Sequence, residues 1–437
     1  MTARSLDSRL AALPLSAEEA ESKAALFERA RSALGSSARE ARLWWVPGRI
    51  EFLGKHTDYC GGPSLICAIG RGFAVAANSR VDGVIRVTDA SSGERIDGEL
   101  DCELAPPRRH WSNYPLTVAR RVARNFPGPL RGAEIAFASD LPQAAGLSSS
   151  SALIIATFLA LSEANNLADR REYRDAIGSV EDLAGYLGAV ENGSDFRNLA
   201  GDQGVGTEGG SQDHTAMLCA RRGALAQYRF APVHLERSVP LPNDHAYVVA
   251  ASGVSAAKTG NALELYNRAS RFAAEALTTL RAATGSSAPT LAALLAELPN
   301  GMDDVGRALR GRAELLLRVA HLHSEARLVR AAGDALGIGD LVALGAMVDA
   351  SQSTAERLLG NQVPETIALA RSARELGAVA ASAFGAGFGG SVYALVETGG
   401  AEDFRHRWVK AYAAAFPNRC ANATFFVTRA GPPATSL

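Results

Sequence analysis

Four consecutive serines at the head of an apolar run are the first residues in this chain whose type and spacing suit chemistry. They lie in Asp140-Leu-Pro-Gln-Ala-Ala-Gly-Leu-Ser-Ser-Ser-Ser-Ala152. Before them, Gly132-Ala-Glu-Ile-Ala-Phe-Ala-Ser139 alternates with the period of a strand. After them, Leu153-Ile-Ile-Ala-Thr-Phe-Leu-Ala-Leu161 is long and apolar enough for a buried helix. A strand, a small-residue loop and a helix opened by serines form a phosphate-binding arrangement. The first N–H groups of a helix have no internal partner, and the macrodipole leaves partial positive charge there. Gly146 lets backbone approach an anion closely, and serine hydroxyls donate to phosphate oxygens or ligate a metal. The same residues would also serve as a serine-rich cap with no ligand, so further motifs must decide.

Such a loop needs a scaffold. With 437 residues the chain is long for one domain, and the turn cluster Pro240-Leu-Pro-Asn-Asp244 suggests two, residues 1–240 and 241–437. Lys+Arg number 45 against 46 Asp+Glu, which gives no reason to expect a nucleic-acid surface. Cys60, Cys67, Cys102, Cys219 and Cys420 are scattered without paired spacing, so zinc is not expected and a reducing cytoplasm is. Met1-Thr-Ala-Arg4 opens no apolar leader and no apolar run approaches a membrane span.

Ser16-Ala-Glu-Glu19 is a capping box for a helix that closes at Gly35. Arg42-Leu-Trp-Trp-Val46 predicts a strand ending at Pro47-Gly48, and Val81-Asp-Gly83 predicts a hairpin turn between strands over 71–78 and 84–90. A helix is predicted from Glu181 to Asn192, then a glycine-rich loop over 204–210 and a strand over 223–230. Past the boundary come a strand over 245–250, helices to about 377, a strand over 391–396, a helix from Ala401 and a last strand over 423–428. Periodicity alone supports an α+β assignment.

Two more stretches accompany the serine loop. Pro47-Gly-Arg-Ile-Glu-Phe-Leu-Gly-Lys-His-Thr-Asp-Tyr-Cys-Gly-Gly62 precedes it, and Phe384-Gly-Ala-Gly-Phe-Gly-Gly-Ser391 stands near the end. Each is a moderate signal alone, but the three in this order and spacing resemble the GHMP kinases, and the first resembles the galactokinase family. The resemblance covers nearly the whole chain. It implies a two-domain α+β fold, with an N-terminal ribosomal-protein-S5-like domain and a C-terminal ferredoxin-like, helix-covered domain around a cleft. It also implies a kinase that uses ATP and Mg²⁺ to phosphorylate the C1 hydroxyl of a galactose-like sugar. By family position, Asp213 is the catalytic carboxylate and Arg49 its cationic neighbour. Lys55, His56, Asp58, Gly210 and Tyr266 contact the sugar. Gly146, Leu147, Ser148, Ser149 and Ser150 hold phosphates, and Trp111 borders adenine. Ser150 and Glu191 ligate the metal, and Gly385, Gly387, Gly389 and Gly390 close the cleft. Sugar and ATP are the expected partners, with no nucleic acid or membrane; the oligomeric state stays open, a monomer being favoured.

The chain departs from the family pattern at Lys55, where galactokinases carry glutamate. An ammonium has three donors and no acceptor, and it pairs better with a carboxylate than with a hydroxyl. Two readings follow: a galacturonate-type sugar acid as acceptor, or a neutral sugar with Lys55 paired to an internal acid such as Glu208. Ala144 replaces the first glycine of the phosphate loop and Ala386 one in the third motif, so ordinary φ is expected at both. Gln212 and His214 flank the aspartate in place of the usual Met and Gln. A sensor that binds ATP and sugar without catalysis is the alternative from another class, but the presence of Asp213 and Arg49 argues against it.

Overall fold

The computed structural model describes residues 17–255 and 261–437, together with Leu6 and Leu10. Ser16, the expected cap of the first helix, lies outside the described residues. That helix, α1, spans Ala17–Ala33. It packs on a sheet whose central strand, β1 (Arg42–Leu53), is buried at every residue after the first. A strand covered on both faces tolerates an unbroken apolar run. Trp45 joins Phe27 of α1 in one core, whereas Trp44 and Val46 enter the opposite core, as a two-residue period requires.

Contrary to expectation, β1 does not end at Pro47-Gly48. Proline has no N–H for the ladder, so the register shifts between Pro47 and Arg49, and pairing then resumes with β2 (Pro63–Ser79). This continuation carries Arg49 and Glu51 into the interior. The predicted hairpin after β2 is also absent. β3 (Val84–Asp89) and β4 (Arg95–Glu99) are followed by α2 (Asn113–Asn125) and β5 (Ala133–Ser139). β5 pairs antiparallel with β2 and parallel with β3, so it lies between them. Gly132 fills the gap, its N–H donating to Asp82 and its carbonyl accepting from Arg80; a β-carbon there would meet the Val84 carbonyl at 2.0 Å. The local turn chemistry at Asp82-Gly83 yields to a pairing made some fifty residues later.

On the face opposite α1 lie α3 (Ser149–Asn165), α4 (Val180–Asn192) and the short α5 (Gln212–Leu218). β6 (Ala224–Arg229) pairs with the first residues of β2, and β7 (His234–Pro240) pairs with β6. The next strand, β8 (His245–Ala251), belongs to a second sheet. Between it and β9 (Ala380–Phe384) come the helices α6 (Asn261–Thr284), α7 (Ala313–Gly337), α8 (Leu341–Thr354) and α9 (Pro364–Glu375). β10 (Ser391–Glu397), α10 (Ala401–Ala415) and β11 (Thr424–Thr428) complete this layer. The spatial order β11-β8-β10-β9, all antiparallel, is the ferredoxin-like βαββαβ topology. The chain then returns to the first sheet, where β12 (Thr435–Ser436) pairs with Trp44 and Trp45. Among the described residues no helix is long and apolar enough to cross a membrane.

Tyr393 joins the sheets. Its ring stacks on Phe52 at 4.9 Å, and its hydroxyl donates to the Phe52 carbonyl at 2.7 Å in a fully buried setting. Tyr393→Phe leaves that carbonyl unmet, and we expect it to lower stability by about 1–3 kcal/mol. A shift of the urea midpoint to lower concentration checks this; an unmoved midpoint would show that the bond contributes nothing.

Candidate active site

The bulge in β1, the serine loop and the start of α5 converge on one carboxylate. Arg49 is 3% exposed; its Nε donates to Asp213 Oδ1 at 2.6 Å and its Nη1 to the Gly146 carbonyl at 2.6 Å. The Ser148 hydroxyl donates to Asp213 Oδ2 at 2.5 Å. Burial works against the Arg49 charge, but the Asp213 carboxylate outweighs it and raises the guanidinium above its ordinary value. Arg49 thus shares one junction at the mouth of α3 with Gly146, 97 positions on, and Asp213, 164 positions on, and Ser148 joins it through Asp213.

Ser148 adopts φ 61° immediately before α3, Gly146 has φ 74°, and Ala144 has φ 50°. Ala144 therefore departs from the ordinary φ expected of it. The loop holds an L-residue in the left-handed region, a strain of about 1–3 kcal/mol that functional loops commonly carry. Ala386, in contrast, is absent from the positive-φ residues. The third motif presses on this loop. Gly385, Gly387, Gly389 and Gly390 all have positive φ, and a β-carbon on Gly385 would come within 3.1 Å of the Gly146 carbonyl and 3.2 Å of Arg49. Ser391 donates to the Ala145 carbonyl at 2.6 Å, tying the second sheet to the loop.

Two cavities meet at this junction, both bordered by Arg49, Thr207 and Ala386. The larger, about 730 Å³, is lined by Gly146, Leu147, Ser148, Ser149 and Ser150 and also by Trp111. Trp111 is half-buried and packs edge-on against Phe137. The smaller holds His56, Asp58, Gly210, Asp213 and Tyr266 together with Glu51 and Glu191. His56 Nε2 lies 3.1 Å from the Ala386 carbonyl, an acceptor only, so Nε2 carries the proton and Nδ1 accepts from Tyr59 Oη at 2.8 Å. Asp58 Oδ2 accepts from the Gln212 amide at 3.2 Å, and a β-carbon on Gly210 would sit 2.5 Å from that oxygen. Tyr266 is buried with its ring 5.1 Å from His56.

Lys55 requires correction: it does not border either cavity. Positive φ at Gly54 and His56 turns the intervening side chain to the rear of the loop, where it is fully buried. Its ammonium donates to Ser351 Oγ at 3.1 Å, and Ser351 donates to Glu325 Oε1 at 2.9 Å. The same Glu325 oxygen accepts the amides of Gly54 and Lys55, and His321 donates to the Lys55 carbonyl. Burial pushes the Glu325 carboxyl up, but Lys55, His321 and the Gly54 amide together hold it below its ordinary value. The internal acid is therefore Glu325; Glu208 is paired with Arg271 instead, at 2.9 Å. An ammonium anchored in this way cannot address a sugar carboxylate, so Lys55 gives no basis for a sugar-acid acceptor.

Ser150 and Glu191 border different cavities, and it is Ser151 that donates to Glu191 Oε2, at 2.9 Å, with His214 Nε2 at 3.4 Å. A hydroxyl and one carboxylate near a phosphate cradle are hard oxygen donors, a set that suits Mg²⁺ completed by phosphates and water. No cluster of three or more His, Cys, Asp or Glu among the described residues would hold a metal by itself.

Glu51 was missed from the sequence. It is 2% exposed, borders the smaller cavity, and its Oε1 has no hydrogen-bond partner among the described residues. Burial pushes its carboxyl up to about 8, against the pull of Lys55 and Arg49. The signal was available: Arg49 and Glu51 stand at strand spacing, which puts both side chains on one face.

Comparison with known proteins fits this geometry. Residues 31–79 match the galactokinase galactose-binding signature, 113–193 the GHMP kinases N terminal domain and 328–414 the GHMP kinases C terminal. A galactokinase of Chloroflexus aggregans is 31% identical over 85% of this chain and 88% of its own length. One of Roseiflexus sp. is 31% identical over 88% and 90%. The crystal structure of Lactococcus lactis galactokinase with galactose superimposes with a TM-score of 0.77 at 24% identity, covering 95% of this chain and 99% of that one.

Two outcomes follow. Lys55→Met leaves Glu325 as an uncompensated buried charge and should cost on the order of 3–5 kcal/mol of stability. Calorimetry reads this, and an unchanged melting temperature would show that the pair is not structural. Glu51 acts in the opposite sense. The native carboxyl keeps its proton to about pH 8, whereas an ordinary one loses it near 4.5. The unfolded state binds fewer protons across that window, so this group makes stability fall as pH rises. Glu51→Gln should flatten the decline in a pH series of urea midpoints, and parallel curves would contradict the assignment.

Proposed function

The chain belongs to the galactokinase family of the GHMP kinases, and from that premise we propose that its cleft transfers the γ-phosphoryl group of ATP to the C1 hydroxyl of galactose. ATP lies in the larger cavity with its base toward Trp111. Its phosphates lie along Gly146, Leu147, Ser148, Ser149 and Ser150, where the backbone N–H groups at the start of α3 carry partial positive charge. Galactose occupies the smaller cavity against His56, Asp58, Gly210 and Tyr266.

Phosphoryl transfer asks for positioning and charge neutralisation more than covalent work. Asp213 accepts the C1 hydroxyl proton as the oxygen bonds to phosphorus. Arg49 and Ser148 each hold one of its oxygens, which fixes the carboxylate while leaving lone pairs for the sugar. Arg49 also offsets charge on the transferring group. Ser150 and Glu191 would hold Mg²⁺, which supplies neutralisation of the charge on the β- and γ-phosphates when bound. The glycine loop lets the second sheet close on the phosphate loop without side-chain obstruction.

The observation that carries this reading is the shared junction of Arg49, Ser148 and Asp213 between a nucleotide-sized cavity and a smaller one lined mainly by polar side chains. A ligand sensor has no use for a base held there. Asp213→Asn should lower galactose-dependent ADP release by about 10²–10⁴-fold, because the proton acceptor acts in the transition state. Nucleotide titration should find ATP affinity nearly unchanged. Retained turnover, or a collapse of ATP binding, would contradict the assigned role.

A further inference from the structure

Building on the proposed galactose phosphorylation, we infer that Glu51 is a specificity-determining residue: it hydrogen-bonds a sugar hydroxyl other than the one at C1, and so discriminates against sugars that lack that hydroxyl. The placement comes from β1. Arg49, Ile50 and Glu51 pair in unbroken register with Ala68, Cys67 and Ile66, so Arg49 and Glu51 share a face, and both border the smaller cavity. The guanidinium of Arg49 is committed to Asp213 and Gly146, and the ammonium of Lys55 to Ser351. Glu51 Oε1 is left buried with no hydrogen bond among the described residues.

A buried polar atom without a partner is costly, and a site that binds a polyol supplies the missing partner on binding. Asp213 addresses the C1 end, so the hydroxyl that Glu51 meets lies on another carbon. A deoxy sugar would leave Oε1 as unmet as it is in the free pocket. Lys55, turned to the back of the loop, does not replace the lost hydroxyl.

The test compares wild type, Glu51→Ala and Glu51→Gln with galactose and with the monodeoxy-galactoses altered at carbons two, three, four and six. For Glu51→Ala, KM for galactose should rise about 10–100-fold while kcat changes less than about 3-fold. One deoxy sugar that wild type uses poorly should be used by this variant as well as galactose is. ATP titration of each variant reports whether the fold survives. Glu51→Gln keeps the shape, and if the alanine variant fails to fold it carries the test alone, with part of the same loss of discrimination against that one deoxy sugar. Galactose KM within about 2-fold of wild type in every folded variant, with all deoxy penalties intact, overturns the inference. Wild type that phosphorylates no galactose would instead sink the reaction on which the inference rests, so the two failures are distinct.

Discussion

The ion pair between Arg49 and Asp213 is the interaction on which the rest of this structure depends. Both partners are withdrawn from water, Arg49 nearly completely, and each would be expensive to leave alone. Charges in that position persist when geometry and supplementary hydrogen bonds compensate for lost hydration, and here Ser148 and the Gly146 carbonyl do so. The requirement propagates outward. Arg49 reaches the junction only because β1 bulges at Pro47-Gly48 and continues, and Ser148 reaches it only by adopting a left-handed conformation just before α3. The glycines of the third motif then let the second sheet lie against both.

A second buried charge network does for the sugar loop what this pair does for the reaction centre. Glu325, on α7, gathers the amides of Gly54 and Lys55 and, through Ser351, the Lys55 ammonium. It is thereby a rigid backing for His56 and Asp58, which face the cavity from the same loop. Replacing an acid by Lys55 at this point of the motif is a change of scaffold chemistry, because the side chain points away from the acceptor. A further carboxyl group that borders the cavity, Glu51, comes from the strand.

Much of this was legible from local pattern. The strand, loop and helix around the four serines, the first helix, and the alternation of helices and strands after Pro240 all follow from periodicity and turn residues. The family resemblance of the sequence points to Arg49, Asp213, His56 and Tyr266, and these border one cavity. The misreadings share a cause. The hairpin at Val81-Asp-Gly83 was a sound local inference defeated by β5, whose insertion between β2 and β3 is decided by residues far along the chain. The direction of Lys55 depends on two positive-φ residues beside it and on an acid 270 positions away. Neither is readable from spacing. The side chain of Ala144 alone implies an ordinary φ, and the packing of the loop overrides that preference.

The central claim is that Arg49, Ser148 and Asp213 stand where nucleotide and sugar meet. The most direct measurement is a crystal structure with galactose and a non-hydrolysable ATP analogue bound together. The account predicts the C1 oxygen within hydrogen-bond reach of Asp213, about 2.6–3.2 Å, and the terminal phosphate beside Arg49 and the serine loop. A sugar bound with C1 turned away from Asp213, or a nucleotide whose phosphates avoid Ser148–Ser150, would contradict it.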